Sequence, residues 1–127
     1  MSDYVLDASA VLALLNQEPG ADQVQEALPR AILSTVNLAE IVTRLASKGM
    51  PAVDVRDVLS LLGLESVPFD EESAIQSGLL YTVTHASGLS SGDCACLTLA
   101  KNLNAIALTA DRAWQSPNLG VEVRSIR

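Results

Sequence analysis

A chain of 127 residues is long enough for one domain with a sizeable core, and a formal net charge of −7 excludes a general basic surface as the means of holding nucleic acid. Hydrophobic residues make up 49% of it, yet Tyr4, Phe69, Tyr81 and Trp114 are its only aromatics; the core must come from Leu, Val, Ile and Ala, and a base-stacking platform is disfavoured. No apolar run approaches the ~20 residues of a membrane span, and Met1-Ser2-Asp3-Tyr4 has neither basic region nor signal core, which predicts a cytoplasmic protein with no membrane partner.

Tyr4-Val5-Leu6 is a short apolar run ending at Asp7, and Ala8 to Leu15 continues with good helix formers, which predicts a buried strand passing straight into a helix. After Pro19-Gly20, helical spacing returns from Ala21 to Leu28, and Ala31-Ile32-Leu33 reads as a second strand. Leu38, Ile41, Val42 and Leu45 then follow i, i+3, i+4, i+7, and Gly49 with Pro51 stops that helix. A helix over about Val53 to Leu62 precedes a strand near Ser66-Val67, and the acidic Asp70-Glu71-Glu72 opens another helix, as the macrodipole favours.

A break at Ser87-Gly88 leads into a helix from about Ser91 to Asn102, with an apolar stripe at Cys96, Leu99, Ala100 and Leu103. Cys94 and Cys96 lie two apart within it, a spacing suited to neither disulfide nor zinc, and read as small apolar fillers. The lone histidine, His85, falls at a helix end as a dipole partner. Ala105 to Leu108 is a strand ending at Thr109-Ala110-Asp111, and Val121 to Ile126 alternates like a last, edge strand. Strands alternating with helices predict one α/β domain over residues 1–127, its mostly parallel sheet covered on both faces.

In such sheets the working crevice lies at the carboxyl ends of the strands. Asp7 and Asp111 fall there, and Glu40 and Asp93 lie on first turns of helices whose N-termini face the same edge. Each acid also suits a plainer role: Asp7 and Asp111 as N-caps, Asn37 with Glu40 and Ser90 with Asp93 as capping boxes, Glu40 as a partner of Arg44. Asp93 strains that account, because it borders an apolar stripe and few cations are near in sequence. Converging acids raise one another's pKa, and divalent Mg²⁺ or Mn²⁺, which takes carboxylate oxygens and water, resolves the conflict.

Asp7-Ala8-Ser9, Asn37-Leu38-Ala39-Glu40, Gly88-Leu89-Ser90-Ser91-Gly92-Asp93 and Thr109-Ala110-Asp111-Arg112 occur in the order of a PIN-domain nuclease. The chain resembles most the VapC-type toxins of type II toxin–antitoxin pairs, from Tyr4 to about Arg127. The resemblance implies a three-layer α/β/α sandwich and a Mg²⁺- or Mn²⁺-dependent endoribonuclease. Its acidic positions map onto Asp7, Glu40, Asp93 and Asp111, and its accessory polar positions onto Ser9, Asn37 and Thr109. It further implies a homodimer silenced by a small cognate antitoxin. Some relatives carry another acid just beyond the fourth position, where this chain reads Trp114-Gln115-Ser116-Pro117.

On this reading a metal held by Asp7, Asp93 and Asp111 polarises the scissile phosphate. Glu40 completes a second metal position or orients the attacking water, and the products carry 5′-phosphate and 3′-hydroxyl ends. Arg112 is a candidate phosphate contact or an ion-pair partner of Asp111. Surface aliphatics for a dimer or antitoxin are sought at Leu12, Leu14 and Leu15, or near Leu59 to Leu62. A haloacid-dehalogenase-like phosphohydrolase would want an acid where Ser9 stands and a lysine for which only Lys48 and Lys101 are candidates; a receiver-like domain is poorly served by Val67-Pro68-Phe69-Asp70. A non-catalytic binding module, its acids merely capping helices, would gain no stability from either metal.

Overall fold

The structure, a computed structural model, describes residues 2–115 and 119–127. Strands β1 (Tyr4–Leu6), β2 (Ala31–Ser34), β3 (Glu65–Val67), β4 (Ile106–Thr109) and β5 (Val123–Ser125) form one sheet in the order β3-β2-β1-β4-β5. Every neighbouring pair is parallel, so the sheet is wholly rather than mostly parallel. Helices α1 (Ala8–Leu15), α2 (Ala21–Ala27), α3 (Thr35–Ser47), α4 (Ala52–Leu62), α5 (Glu71–Thr84) and α6 (Ser91–Leu103) complete the three-layer α/β/α arrangement.

Alternation along short strands divides the core between the two faces. Leu6, Leu33 and Leu108 pack with Val11, Leu14, Ile41 and Leu45 of α1 and α3. Val5, Ile32 and Ala107 face the other way onto Cys96, Leu97 and Ala100 of α6, with Trp114 closing that cluster. Leu97 has no exposure, and truncating such a side chain to Ala costs about 2–5 kcal/mol. Because α6 is enclosed by the sheet on one side and α5 on the other, its burial departs from a single stripe: Leu97 is buried, whereas Leu103 is 47% exposed. Leu14, sought as a surface residue, is likewise buried, with Leu12 and Leu15 half-buried. Cys94 and Cys96 are free and buried, and His85 Nδ1 donates to the Tyr81 carbonyl (3.0 Å) at the end of α5.

Element ends follow local chemistry. The amide of Ala105 closes α6 by donating to Ala100 O (2.9 Å), so β4 starts one residue later than hydropathy alone suggests. Gly20 sits at φ 94° before α2 and its Cα faces the Ile126 carbonyl, a place that strains any side chain and leaves no room for one. Among the described residues no helix is long and apolar enough to cross a membrane.

The chain runs outward from β1 to β2 and β3, then returns to add β4 and β5 on the other side of β1. This reversal puts the topological switch point between β1 and β4, where open parallel sheets leave a crevice beyond their carboxyl ends. Asp7 is the single residue between β1 and α1, and its amide donates to Leu108 O of β4 (3.0 Å).

Candidate active site

Asp7 occupies the N-cap position of α1 with extended backbone (φ −75°, ψ 156°), yet its side chain caps nothing. Its Oδ2 instead accepts from Ser9 Oγ (2.6 Å) and Thr109 Oγ1 (3.1 Å). Both hydroxyls give their one proton to Asp7 and accept from the backbone in turn: Ser9 Oγ from Ala110 N (2.9 Å), Thr109 Oγ1 from Asp111 N (3.0 Å). The expected accessory residues Ser9 and Thr109 thus bolt the end of β1 to the end of β4. Asp7 is 4% exposed, and burial lifts its pKa from 3.8 to about 6; the Ser9 and Thr109 bonds oppose that rise, while the charges of Asp93 and Glu40 add to it.

Glu40 reaches the same crevice from α3. That helix starts earlier than the apolar spacing implies, because Ser34 is its N-cap and accepts from Val36 N (3.1 Å). Asn37 and Glu40 are therefore not a capping box, and Glu40 stands in the second turn. Asn37 is wholly buried, and its Nδ2 donates to Glu40 Oε1 (2.7 Å) and to the Gly92 carbonyl (3.1 Å). Its Oδ1 is buried with no partner among the described residues. Such an orphan costs about 1–3 kcal/mol, the penalty of aiming both N–H groups at the site.

Asp93 performs the plainer role and faces the pocket as well. Its amide donates to Ser90 Oγ (3.2 Å) and its Oδ2 accepts from Ser90 N (2.8 Å), a complete capping box. Burial raises its pKa against those Ser90 bonds, and the charge of Asp111 raises it further. Asp111 is exposed, and its Oδ1 accepts from Ala113 N (2.9 Å) at the start of a 3-10 turn over Arg112–Gln115.

All four acids line one open pocket of about 590 Å³, with Ser9, Arg44, Lys48 and Ser90 among its other walls. One oxygen of each carboxylate is tied down by a neighbour. Among the described residues the other oxygens, Asp7 Oδ1, Glu40 Oε2, Asp93 Oδ1 and Asp111 Oδ2, accept no hydrogen bond. The ion pairs found among those residues are Arg30–Asp3, Arg124–Glu122 and Arg127–Glu18; Glu40 does not pair with Arg44, nor Asp111 with Arg112. Converging acids with open oxygens and no cationic side chain paired to them are the donor chemistry of a hard divalent cation. Among the described residues no three of them already stand at ligand spacing, so the carboxylates would have to draw closer to share one cation.

Three residues named in the sequence for other reasons prove to belong to the site. Gly92 belongs to a quoted segment, but its reason is spatial: a Cβ there would meet Glu40 Oε1 at 2.5 Å. Arg44 and Lys48 follow Glu40 at steps of four, a helical-face signal open to sequence inspection, whereas Arg112 is exposed and does not line the pocket. The Trp114–Pro117 stretch is described only in part: Trp114 is wholly buried, and Ser116 and Pro117 lie outside the described residues.

The family model of the PIN domain matches residues 4–117. No curated protein matches the chain by sequence. Among solved structures, the chain is similar to DNA-bound VapBC from Salmonella typhimurium, with 16% identity, a TM-score of 0.77 and coverage of 100% of each chain. It is similar to a toxin–antitoxin complex from Klebsiella pneumoniae, with 17% identity, a TM-score of 0.76 and coverage of 98% of each chain. VapBC-5 from Mycobacterium tuberculosis is 23% identical, with a TM-score of 0.60 and coverage of 98% of each chain. At these identities the likeness shows the fold alone.

Proposed function

The chain belongs to the PIN-domain family, and from that premise we propose that it is a metal-dependent endoribonuclease and the toxin of a type II toxin–antitoxin pair. The observation that carries this reading is the convergence of Asp7, Glu40, Asp93 and Asp111 on one pocket at the switch point, with no cationic side chain paired to any of them.

Asp7, Asp93 and Asp111 are the carboxylates that would hold Mg²⁺ or Mn²⁺, and Glu40 would serve a second position or take the water's proton. When bound, the cation supplies Lewis-acid polarisation of the scissile phosphate and lowers the pKa of water. Ser9 and Thr109 fix the Asp7 carboxylate through its Oδ2 and leave Oδ1 open to the pocket. Asn37 holds Glu40 by Oε1, with Oε2 turned free for a proton from the nucleophile. Water attacking in line, with the 3′-oxygen leaving, produces 5′-phosphate and 3′-hydroxyl ends.

The toxin assignment draws on fold neighbours described as VapBC and toxin–antitoxin complexes. A cognate antitoxin and a second copy of the chain are the proposed protein partners. The face of α5 that carries Ile75, Leu79 and Val83 at steps of four, each more than half exposed, suits the dimer better than α1, whose Leu14 is buried. Exposed Val53 and Leu61 on α4 are available to the antitoxin.

The test is cleavage of total RNA with Mn²⁺, Mg²⁺ or EDTA, by the unaltered chain and by Asp7→Asn. Metal-dependent cuts that vanish in the variant, with 5′-phosphate ends, support the proposal. Ends of 2′,3′-cyclic phosphate, or cutting that survives EDTA, overturn the mechanism.

A further inference from the structure

Eight Lys and Arg stand against 15 Asp and Glu, which leaves a net charge of −7, so a polyanion meets a repulsive molecule unless cations stand where it binds. Three of them, Arg30, Arg124 and Arg127, are in ion pairs with Asp3, Glu122 and Glu18. Arg44, Lys48, Arg56, Lys101 and Arg112 form none among the described residues. Of these five, only Arg44 and Lys48 line the pocket that holds the carboxylates.

Their spacing turns this into a direction. Glu40 and Arg44 stand four residues apart on α3, and Lys48 follows four later as its C-cap, so the cations lead away from Glu40 over ~12 Å toward the end of the helix. Leu12 of α1 and its C-cap Asn16 line the same pocket. A position near the carboxyl end of α3 suits a cation for the sake of the macrodipole alone. The dipole does not explain why both side chains border the carboxylate pocket with no acidic partner.

We propose that Arg44 and Lys48 form a phosphate track that seats the substrate RNA strand beside the scissile bond, one phosphate on each side chain. The proposal rests on the nuclease reading for the identity of the strand. The carboxylates and their cation would act on the scissile phosphate, while Arg44 and Lys48 would neutralise its neighbours along α3. Arg44 can grip two phosphate oxygens with its fork, and Lys48 acts as a point charge at the outer end.

The test separates binding from cutting. In an Asp7→Asn background, binding of a short oligouridylate is followed against salt, with and without Arg44→Ala/Lys48→Ala. The pair should weaken binding about tenfold at ~0.1 M salt and flatten the log–log salt slope by about 1.4, at ~0.7 per phosphate for a single strand. Arg56→Ala/Lys101→Ala should change neither. With Asp7 intact and metal present, Arg44→Ala/Lys48→Ala should raise KM about tenfold and leave kcat within about threefold.

An unchanged slope, an equal change in the control pair, or a loss of kcat at constant KM would overturn the track. So would a polyglutamate peptide that binds through Arg44 and Lys48 while oligouridylate does not, since the surface would then serve an acidic protein segment. A slope that depends on the pair, in a chain that cuts no RNA under any metal, would uphold the track and defeat the nuclease reading instead.

Discussion

The Cα of Gly92 faces the carboxylate of Glu40 so closely that a Cβ on it would stand 2.5 Å from Oε1 and 2.8 Å from Oε2. The obstacle is the far end of a flexible side chain, so Gly92→Ala should leave the fold intact and push Glu40 aside. Ala within α6 gains up to ~1 kcal/mol over Gly. A displacement of about 1 Å at a reacting group costs on the order of a hundredfold in rate. Gly92→Ala should therefore match or exceed the parent in melting temperature while losing about that factor in RNA cleavage. The shorter acid of Glu40→Asp, combined with Gly92→Ala, should recover more activity than the two single losses allow; strict additivity would show that the two residues do not act through each other.

The pH response of the metal-free chain should run against the usual acid denaturation. Asp7 has a folded pKa of about 6 against 3.8, so the folded state binds this proton more tightly than the unfolded one. Stability from this group is fully present below 3.8, declines between 3.8 and about 6, and is gone above that. The difference corresponds to about 3 kcal/mol. Urea titrations without metal should find Asp7→Asn more stable than the parent at pH 7 by up to that amount, with the gap closing towards pH 4. A gap that widens on acidification would mean that Asp7 has a stabilising partner.

Asp93 carries a structural and a chemical duty, and neighbouring substitutions separate them. Ser90→Ala removes one half of the capping box and should cost about 1 kcal/mol while preserving the rise in melting temperature that Mn²⁺ produces. Asp93→Asn should cost little of the cap and abolish the Mn²⁺ response. For scale, metal at a hundred times its Kd stabilises by about 2.7 kcal/mol. Equal Mn²⁺ shifts in Asp93→Asn and the parent would confine Asp93 to capping.

Gly20→Ala tests the seam between the start of α2 and the end of the chain. At φ 94° and facing the Ile126 carbonyl, an added methyl must strain the backbone and displace Ile126. A loss of about 1–3 kcal/mol is expected. Hydrogen exchange should show β5 opening first, with β1 and β2 protected as before. Uniform loss of protection would mean that β5 and the central strands open together.

Much of this architecture was written in local patterns. Ala8 to Leu15 and the run through Leu38, Ile41 and Leu45 form helices because their apolar spacing matches the faces they bury, and Leu6 and Leu108 are inward strand residues just ahead of the acids. What stayed hidden depended on partners far along the chain. The Asn37–Gly92 bond spans 55 residues, so the role of the glycine could not be read from Asn37-Leu38-Ala39-Glu40; the start of α3 at Thr35 is instead set locally, by the Ser34 cap on Val36 N. The sequence leaves Asp7 open between N-cap and site acid because caps and strand-end acids share one backbone conformation; its side chain makes no cap bond, and its Oδ2 is claimed by two hydroxyls instead. Proximity in sequence to Asp111 makes Arg112 a candidate phosphate contact or ion-pair partner; it does not line the pocket, whereas Arg44 enters it from α3.

The bond from Thr109 to Asp7 joins residues 102 positions apart, across two strands that sit side by side at the centre of the sheet. A ribosome making this chain therefore extrudes Asp7 first and can complete the carboxylate set only after β4 has emerged to lie against β1. Until then the growing polypeptide carries the acids of Asp7, Glu40 and Asp93 without the strand that gathers them beside Asp111. Any opening that parts β4 from β1 would therefore separate Asp7 from Asp111 and take the proposed catalytic set apart in one step.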